Sequence, residues 1–309
     1  MRVLMFSAGV IGSVYAGRLH DAGHDVTLFA RGDRLAALRD HGLVLEDAHT
    51  GRRTVRRLPL LPTLNEAISF DAIVVAVRRE QFADATAALA RSPITGDVVL
   101  FGNAAGTTQQ FTSMLGPRAL IGFPAAGGVG DGEVIRYVLI RQQKTMLAEP
   151  GGMITTRLHT LADALKRSGF ATTLSTDGDG WLTAHAAFVV PIALALYRVD
   201  VDPTRLAADP ATIRLMVRAT RQAFLALRGA GNRQVPRNLR ALYLYAPEWL
   251  AVAYWRRTMA SPNGELWFGA HCREAREEMI GLADVVRDAC AVSQHRTPEL
   301  AELLGSSDR

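Results

Sequence analysis

The chain has 309 residues, 49% of them hydrophobic and 21% charged, with a formal net charge of +5. That is enough apolar material for two globular domains, and it excludes a disordered or low-complexity chain. Lys144 and Lys166 are the only lysines, and the many arginines are scattered among acids. A solvated basic surface is therefore expected, rather than a nucleic-acid-binding stripe.

The first residues, Met1-Arg2-Val3-Leu4-Met5-Phe6, run straight into a glycine turn. This run is too short for a secretory apolar segment, and no stretch of 18 or more apolar residues is evident, so a cytoplasmic chain without a membrane partner is expected. Residues 2–6, 25–29, 71–77 and 98–101 read as short buried strands, and 10–22, 34–41 and 80–91 have helical spacing. Residues 42–47 and 53–58 read as an inserted hairpin. Residues 118–123 and 134–147 add further strands, the latter in a hairpin. A helix over 153–168 and a strand over 171–175 lead to the loop Thr176-Asp177-Gly178-Asp179-Gly180, whose composition predicts a hinge.

Beyond that loop only helices are predicted, over 181–197, 203–229, 236–245, 247–259 and 265–292, with fraying at 305–309. The expected fold class is α/β. A Rossmann-type doubly wound parallel sheet over 1–175 is followed by an all-α domain over 176–309. Cys272 and Cys290 fall on the last predicted helix, where 18 residues span about 27 Å, so no disulfide and a reducing compartment are expected.

Phe6-Ser7-Ala8-Gly9-Val10-Ile11-Gly12 follows a predicted strand and opens a helix. In that context glycines bind a dinucleotide. Gly9 lets the backbone approach the pyrophosphate, Gly12 permits close helix–strand packing, and helix-start amides receive the phosphate charge. Ser7 occupies the usual first-glycine position. Ser7, Ala8, Gly9, Val10, Ile11 and Gly12 are thus the candidate cradle. At the end of the second strand Ala30 fills the slot where an NAD site places Asp or Glu, and Arg31 follows. A guanidinium suits a 2′-phosphate, so NADP(H) is the expected cofactor. Arg34 is either a second phosphate contact or a surface residue, and Asp33 reads as a helix-start acid.

These segments, together with Leu100-Phe101-Gly102-Asn103-Ala104-Ala105-Gly106, resemble the ketopantoate reductases (2-dehydropantoate 2-reductases) over nearly the whole chain. The resemblance implies a C-terminal domain like that of 6-phosphogluconate dehydrogenase and an NADPH hydride delivered to a 2-oxo acid. It also implies a proton-donating lysine on the first helix of that domain, with Asn four residues on and Asn-Pro another four on. With Pro191 aligned to the motif proline, Leu182, Ala186 and Val190 occupy those positions, so the usual donor is absent. The resemblance also places Asn103 near cofactor and substrate, Arg78 where a lysine is usual, Glu278 as a substrate-binding glutamate and Leu266 where a serine is expected. Trp181-Leu182-Thr183-Ala184-His185 and Gly269-Ala270-His271 are similar to a divergent branch of the family.

Carbonyl reduction needs a proton donor, and arginine holds its proton too tightly at neutral pH. His185, one turn after Leu182, is the candidate replacement because histidine titrates near neutrality. Its alternative is a core histidine in an apolar run. His271, Glu274 and Glu278 recur at helical spacing and are candidate substrate contacts; no metal site is expected. Phe123, opening the run 122–128, is a candidate pocket wall. The expected catalytic set is His185, Asn103 and Glu278. Small-molecule substrate is the expected partner, and the apolar C-terminal helices leave a homodimer as a candidate assembly. The combined expectation is an NADP(H)-dependent oxidoreductase acting on a carbonyl, imine or alcohol other than ketopantoate. Two alternatives stand beside it: an NADPH-binding protein without catalysis, and a 2-dehydropantoate 2-reductase with a displaced donor.

Overall fold

The computed structural model describes residues 1–305. It divides into two compact units, Met1–Gly178 and the part from Asp179 onward.

The first unit carries strands β1 (Arg2–Met5), β2 (Asp25–Phe29), β3 (Leu43–Asp47), β4 (Arg53–Arg56), β5 (Leu60–Leu61), β6 (Ser69–Val75), β7 (Thr95–Phe101), β8 (Ala119–Phe123), β9 (Ala126–Asp131), β10 (Val134–Leu139), β11 (Thr145–Ala148) and β12 (Thr172–Ser175). Its helices are α1 (Val10–Asp21), α2 (Gly32–His41), α3 (Phe82–Arg91), α4 (Thr108–Leu115) and α5 (Thr156–Arg167). Eight strands form one sheet in the order β12-β11-β8-β7-β6-β1-β2-β5. From β8 to β5 every pairing is parallel, and β11 runs antiparallel to β8. This is a Rossmann-type sheet. Its strands are apolar at successive residues because both faces are covered: Val3 and Met5 share a cluster with α1, α5 and part of the second sheet, while Leu4 and Ile73 point the other way and are equally buried. The chain leaves β1 toward β2 on one side and continues from β6 to β7 and β8 on the other. The topological switch therefore lies between β1 and β6, where ligands of such sheets bind.

A second, four-stranded sheet has the order β4-β3-β10-β9. The β3–β4 hairpin is the one expected. The run 122–128 passes from β8 directly into β9, and 134–147, expected as a hairpin, splits between two sheets: β10 pairs with β9 and β3, β11 with β8 and β12. Glycine-rich β9 lacks strand propensity and is held by its neighbour's ladder.

The second unit is helical. Helix α6 (Gly178–Tyr197) begins inside the predicted hinge and passes through Pro191. By length and composition it could cross a membrane, with hydropathy 1.6, but 72% of that window is buried as in a core helix. The helix predicted over 203–229 is two, α7 (Pro203–Ala208) and α8 (Pro210–Gly229). Asp209 separates them by accepting from the Ala211 and Thr212 amides, with Pro210 at the first helical position. Helix α9 (Arg237–Arg240) continues as a π-helical turn over Ala241–Tyr245, which explains the poor 3.6-residue periodicity there.

Helix α10 (Glu248–Met259) precedes α11 (Pro262–Gly264), a second π turn over Glu265–Gly269, α12 (Ala270–Glu274), α13 (Arg276–Ala291) and α14 (Pro298–Gly305). The predicted continuous helix over 265–292 is therefore interrupted, at Ala275 (φ −120°, ψ 39°). Cys272 and Cys290 sit on different helices, both free and buried, with their thiols pushed up by desolvation to about 12 and about 11. The expected fraying beyond Gly305 lies outside the described residues.

Candidate active site

At the switch point, Gly9 is the N-cap of α1 in an extended conformation (φ −71°, ψ −174°), and no side chain caps the helix. The first intrahelical bond is from the Ser13 amide to Gly9 O, so the amides of Val10, Ile11 and Gly12 are left to an external acceptor. Ser7, the departure from glycine, turns inward and its Oγ accepts from the Gly9 amide at 3.1 Å. A Cβ on Gly12 would overlap the Ser7 carbonyl oxygen and stand 3.1 Å from its carbon, so only glycine lets α1 approach β1 this closely. A Cβ on Gly9 would meet only Ser7 Oγ, at 3.3 Å. Ala8 is buried beneath the turn.

Arg31 is the exposed N-cap of α2, immediately past β2. Its guanidinium lies 5.6 Å from the Phe29 ring, which in turn stacks on Phe6 at 4.7 Å. Among the described residues no carboxylate pairs with it. Arg34, read from sequence as either a second phosphate contact or a surface residue, is half-buried against the glycine turn. Its Nε donates to Ala8 O (3.0 Å) and an Nη to Ser13 Oγ (3.4 Å), and its half-burial lowers its pKa by desolvation. It braces the glycine turn from beneath.

Across the switch, Arg78 is exposed three residues past the end of β6, its amide donating to Gln81 Oε1. Its neighbour Arg79, not singled out from sequence, donates from Nη1 to the carbonyls of Asn103 (2.9 Å) and Ala105 (2.6 Å), tying the loop after β6 to the loop after β7. Asn103 is half-buried in that second loop. Phe123 ends β8 and is itself buried. Tyr15, also missed, has its hydroxyl hydrogen-bonded with Thr145 Oγ1 (2.6 Å) while accepting from the Ala125 amide (2.9 Å). It fixes the β8–β9 corner to α1. The fold and the donor set fit a dinucleotide, with uncapped amides for the pyrophosphate and an unpaired guanidinium at the ribose strand.

In the second unit His185 is buried on α6, its ring parallel to Trp181 (5.4 Å) and edge-on to Phe188 (6.1 Å). Burial first, and then the nearby His271, push its pKa down to about 3. The premise that His185 titrates near neutrality is thereby overturned: at pH 7 it is a neutral imidazole, able to offer an N–H but no imidazolium proton. The expectation that His271, Glu274 and Glu278 share the face of one helix also fails, because the break at Ala275 separates the first two from the third. The same break brings His271 Nε2 to 3.3 Å from Glu278 Oε1, with the carboxylate buried and the imidazole half exposed. Glu274 is exposed at the end of α12. Leu182, Ala186 and Val190 are all buried, forming an apolar packing stripe. Among the described residues no three His, Cys, Asp or Glu gather in metal-holding geometry.

Residues 5–151 match the family model described as ketopantoate reductase PanE/ApbA. A 76-residue stretch is 34% identical to the uncharacterized oxidoreductase YkpB of Bacillus subtilis (strain 168), covering 25% of this chain and 24% of that protein, so the match spans about a quarter of the curated relative's length. Among solved structures, D-mandelate dehydrogenase with NADH and anilino(oxo)acetate aligns with 100% of this chain and 98% of its own at 17% identity, TM-score 0.75. The 2-dehydropantoate 2-reductase of Geobacter metallireducens GS-15 aligns with 99% of this chain and 100% of its own at 14% identity, TM-score 0.74. That of Methylococcus capsulatus aligns with 100% and 96% at 15% identity, TM-score 0.73. At these identities the likeness establishes a shared fold.

Proposed function

We propose that the protein is an NADP(H)-dependent oxidoreductase acting on a carbonyl or imine, or the corresponding alcohol, other than ketopantoate. The observation that carries the cofactor reading is Arg31, a guanidinium without a carboxylate partner among the described residues, just past the tip of β2 and near the uncapped start of α1. Ser7 to Gly12 hold the pyrophosphate, Arg31 reads the 2′-phosphate, and Arg78 and Asn103 flank the nicotinamide end. When bound, the cofactor supplies or accepts the hydride. The chain supplies the rest. His185, neutral and immobilised by Trp181 and Phe188, donates a hydrogen bond that polarises the substrate oxygen. His271, held by the buried Glu278, delivers the proton that oxygen gains on reduction. Phe123 in the first unit and Glu274 in the second are proposed substrate contacts, each on its own unit. Two buried free thiols suit a reducing, cytoplasmic setting.

The test of the cofactor role is Arg31→Ala. Losing one charge-assisted contact of about 1.5–3 kcal/mol weakens NADPH roughly 10- to 100-fold and leaves NADH nearly unchanged. Equal weakening of both contradicts the assignment. For the chemistry, a panel of ketones and imines is assayed with NADPH. Turnover removed by His271→Ala at unchanged NADPH affinity supports the reading, and brisk turnover of ketopantoate itself refutes it in favour of a reductase with a displaced donor. The apolar stripe Leu182, Ala186 and Val190, with the depressed His185, favours a second reading, an NADPH-binding protein without turnover. That reading predicts tight NADPH and no loss of cofactor absorbance with any substrate of the panel.

A further inference from the structure

Helix α10 buries one face through Ala251, Val252, Trp255, Thr258 and Met259. Its opposite face leaves Trp249 69% and Leu250 44% exposed, with Tyr254 at 40% and Tyr245, just before the helix, at 71%. Large aromatics left in water on one face of a helix are unusual for a surface that stays bare. At roughly 150–250 Å² for a whole aromatic side chain, the uncovered parts of the three aromatics amount to about 360 Å². With Leu250 beside them, that is about half of the roughly 800 Å² per partner in a stable interface.

We infer that this face is a homodimer interface in which α10 packs antiparallel against its own copy, with Ala253 on the two-fold axis. The pattern is self-complementary. Ala253, exposed and small, lets two helices approach at the crossing. Four residues before it stands Trp249 and four after it Arg257, so antiparallel pairing about Ala253 sets each Trp249 over the other copy's Arg257, a cation–π contact. Arg257 is exposed and has no carboxylate partner among the described residues. The one acid of α10, Glu248, is already held by Arg218 (2.8 Å) and Arg214 (3.4 Å). Trp, Tyr and Arg are the residue types that dominate such interfaces.

Sedimentation equilibrium of the intact protein tests this. The expected species has twice the 33.5 kDa chain mass. Trp249→Glu, a change at an exposed site that leaves the fold intact by circular dichroism, weakens the dimer by about 30-fold or more. Ile280→Glu, at an exposed apolar position on α13, does not. Ala253→Cys crosslinks to a covalent dimer under mild oxidation, because the two axial residues lie within disulfide reach while the native cysteines are buried. A monomer at about 100 μM overturns the inference. So does a dimer that survives Trp249→Glu and fails to crosslink through Ala253→Cys, or a monomer that uses the Trp249 face to bind anionic lipid vesicles.

Discussion

Replacing Gly12 and Gly9 in turn separates a glycine needed for packing from one needed for ligand approach. In Gly12→Ala the new methyl overlaps the Ser7 carbonyl oxygen and lies 3.1 Å from its carbon. Both are backbone atoms of the turn just past β1, so relief requires α1 to move off the sheet. Overpacking of this kind costs up to about 3 kcal/mol, and alanine's better helix propensity returns about 1 kcal/mol, leaving a net loss of about 2 kcal/mol. For a unit of this size that lowers Tm by roughly 4–8 °C. In Gly9→Ala the methyl meets only the rotatable Ser7 Oγ at 3.3 Å, in a backbone conformation alanine adopts freely. Stability falls by at most about 1 kcal/mol as an N-cap change. The methyl nevertheless stands where the pyrophosphate must approach, so NADPH affinity falls sharply. Calorimetry of the unliganded variants and fluorescence titration with NADPH measure the two effects. A Gly12→Ala protein within 0.5 kcal/mol of wild type, or a Gly9→Ala protein as destabilised as Gly12→Ala with undiminished NADPH binding, refutes the reasoning.

His185, with a folded-state pKa near 3 against an ordinary 6.5, binds its proton in the unfolded chain first. Its contribution to stability is therefore full above about pH 6.5 and is lost as pH falls toward about 3, at no more than about 1.4 kcal/mol per pH unit. His185→Gln flattens that part of the denaturation profile, and an unchanged slope shows that the imidazole is not buried as described. Tyr15→Phe leaves the buried Ala125 amide without its acceptor and costs about 1–3 kcal/mol, read by urea unfolding. A loss under 0.5 kcal/mol contradicts the role of that hydroxyl. Cys272 and Cys290, buried and with raised pKa, react with a thiol reagent only on unfolding, and rapid labelling of the native protein counts against their burial.

The βαβ units and the glycine turn were legible because their signals are local: two-residue and 3.6-residue periodicities, and a turn whose glycines sit between a strand and a helix. The split at Asp209-Pro210 was legible in principle, since Asp before Pro is a helix-start signal within an otherwise continuous pattern. The π-helical turns were not, because they disrupt the period by which helices are read. The second sheet was not either: β9 has little strand propensity of its own, and the partnership of β10 with β3 joins segments about ninety residues apart.

For the candidate site the division falls in the same place. The order of residue types from Phe6 to Gly12 determined by itself that a glycine turn opens a helix after the first strand, with Arg31 past the second, where the proposed dinucleotide site lies. That local geometry depends on backbone conformation and nearest neighbours in the chain. Only the tertiary structure decided that Arg34 braces the turn, that Arg79 ties the Asn103 loop, that the break at Ala275 carries His271 to Glu278, and that His185 is neutral. Each of these depends on which distant groups surround a side chain and how much water they exclude, and desolvation is a property of that surrounding, absent from the residue's own place in the sequence.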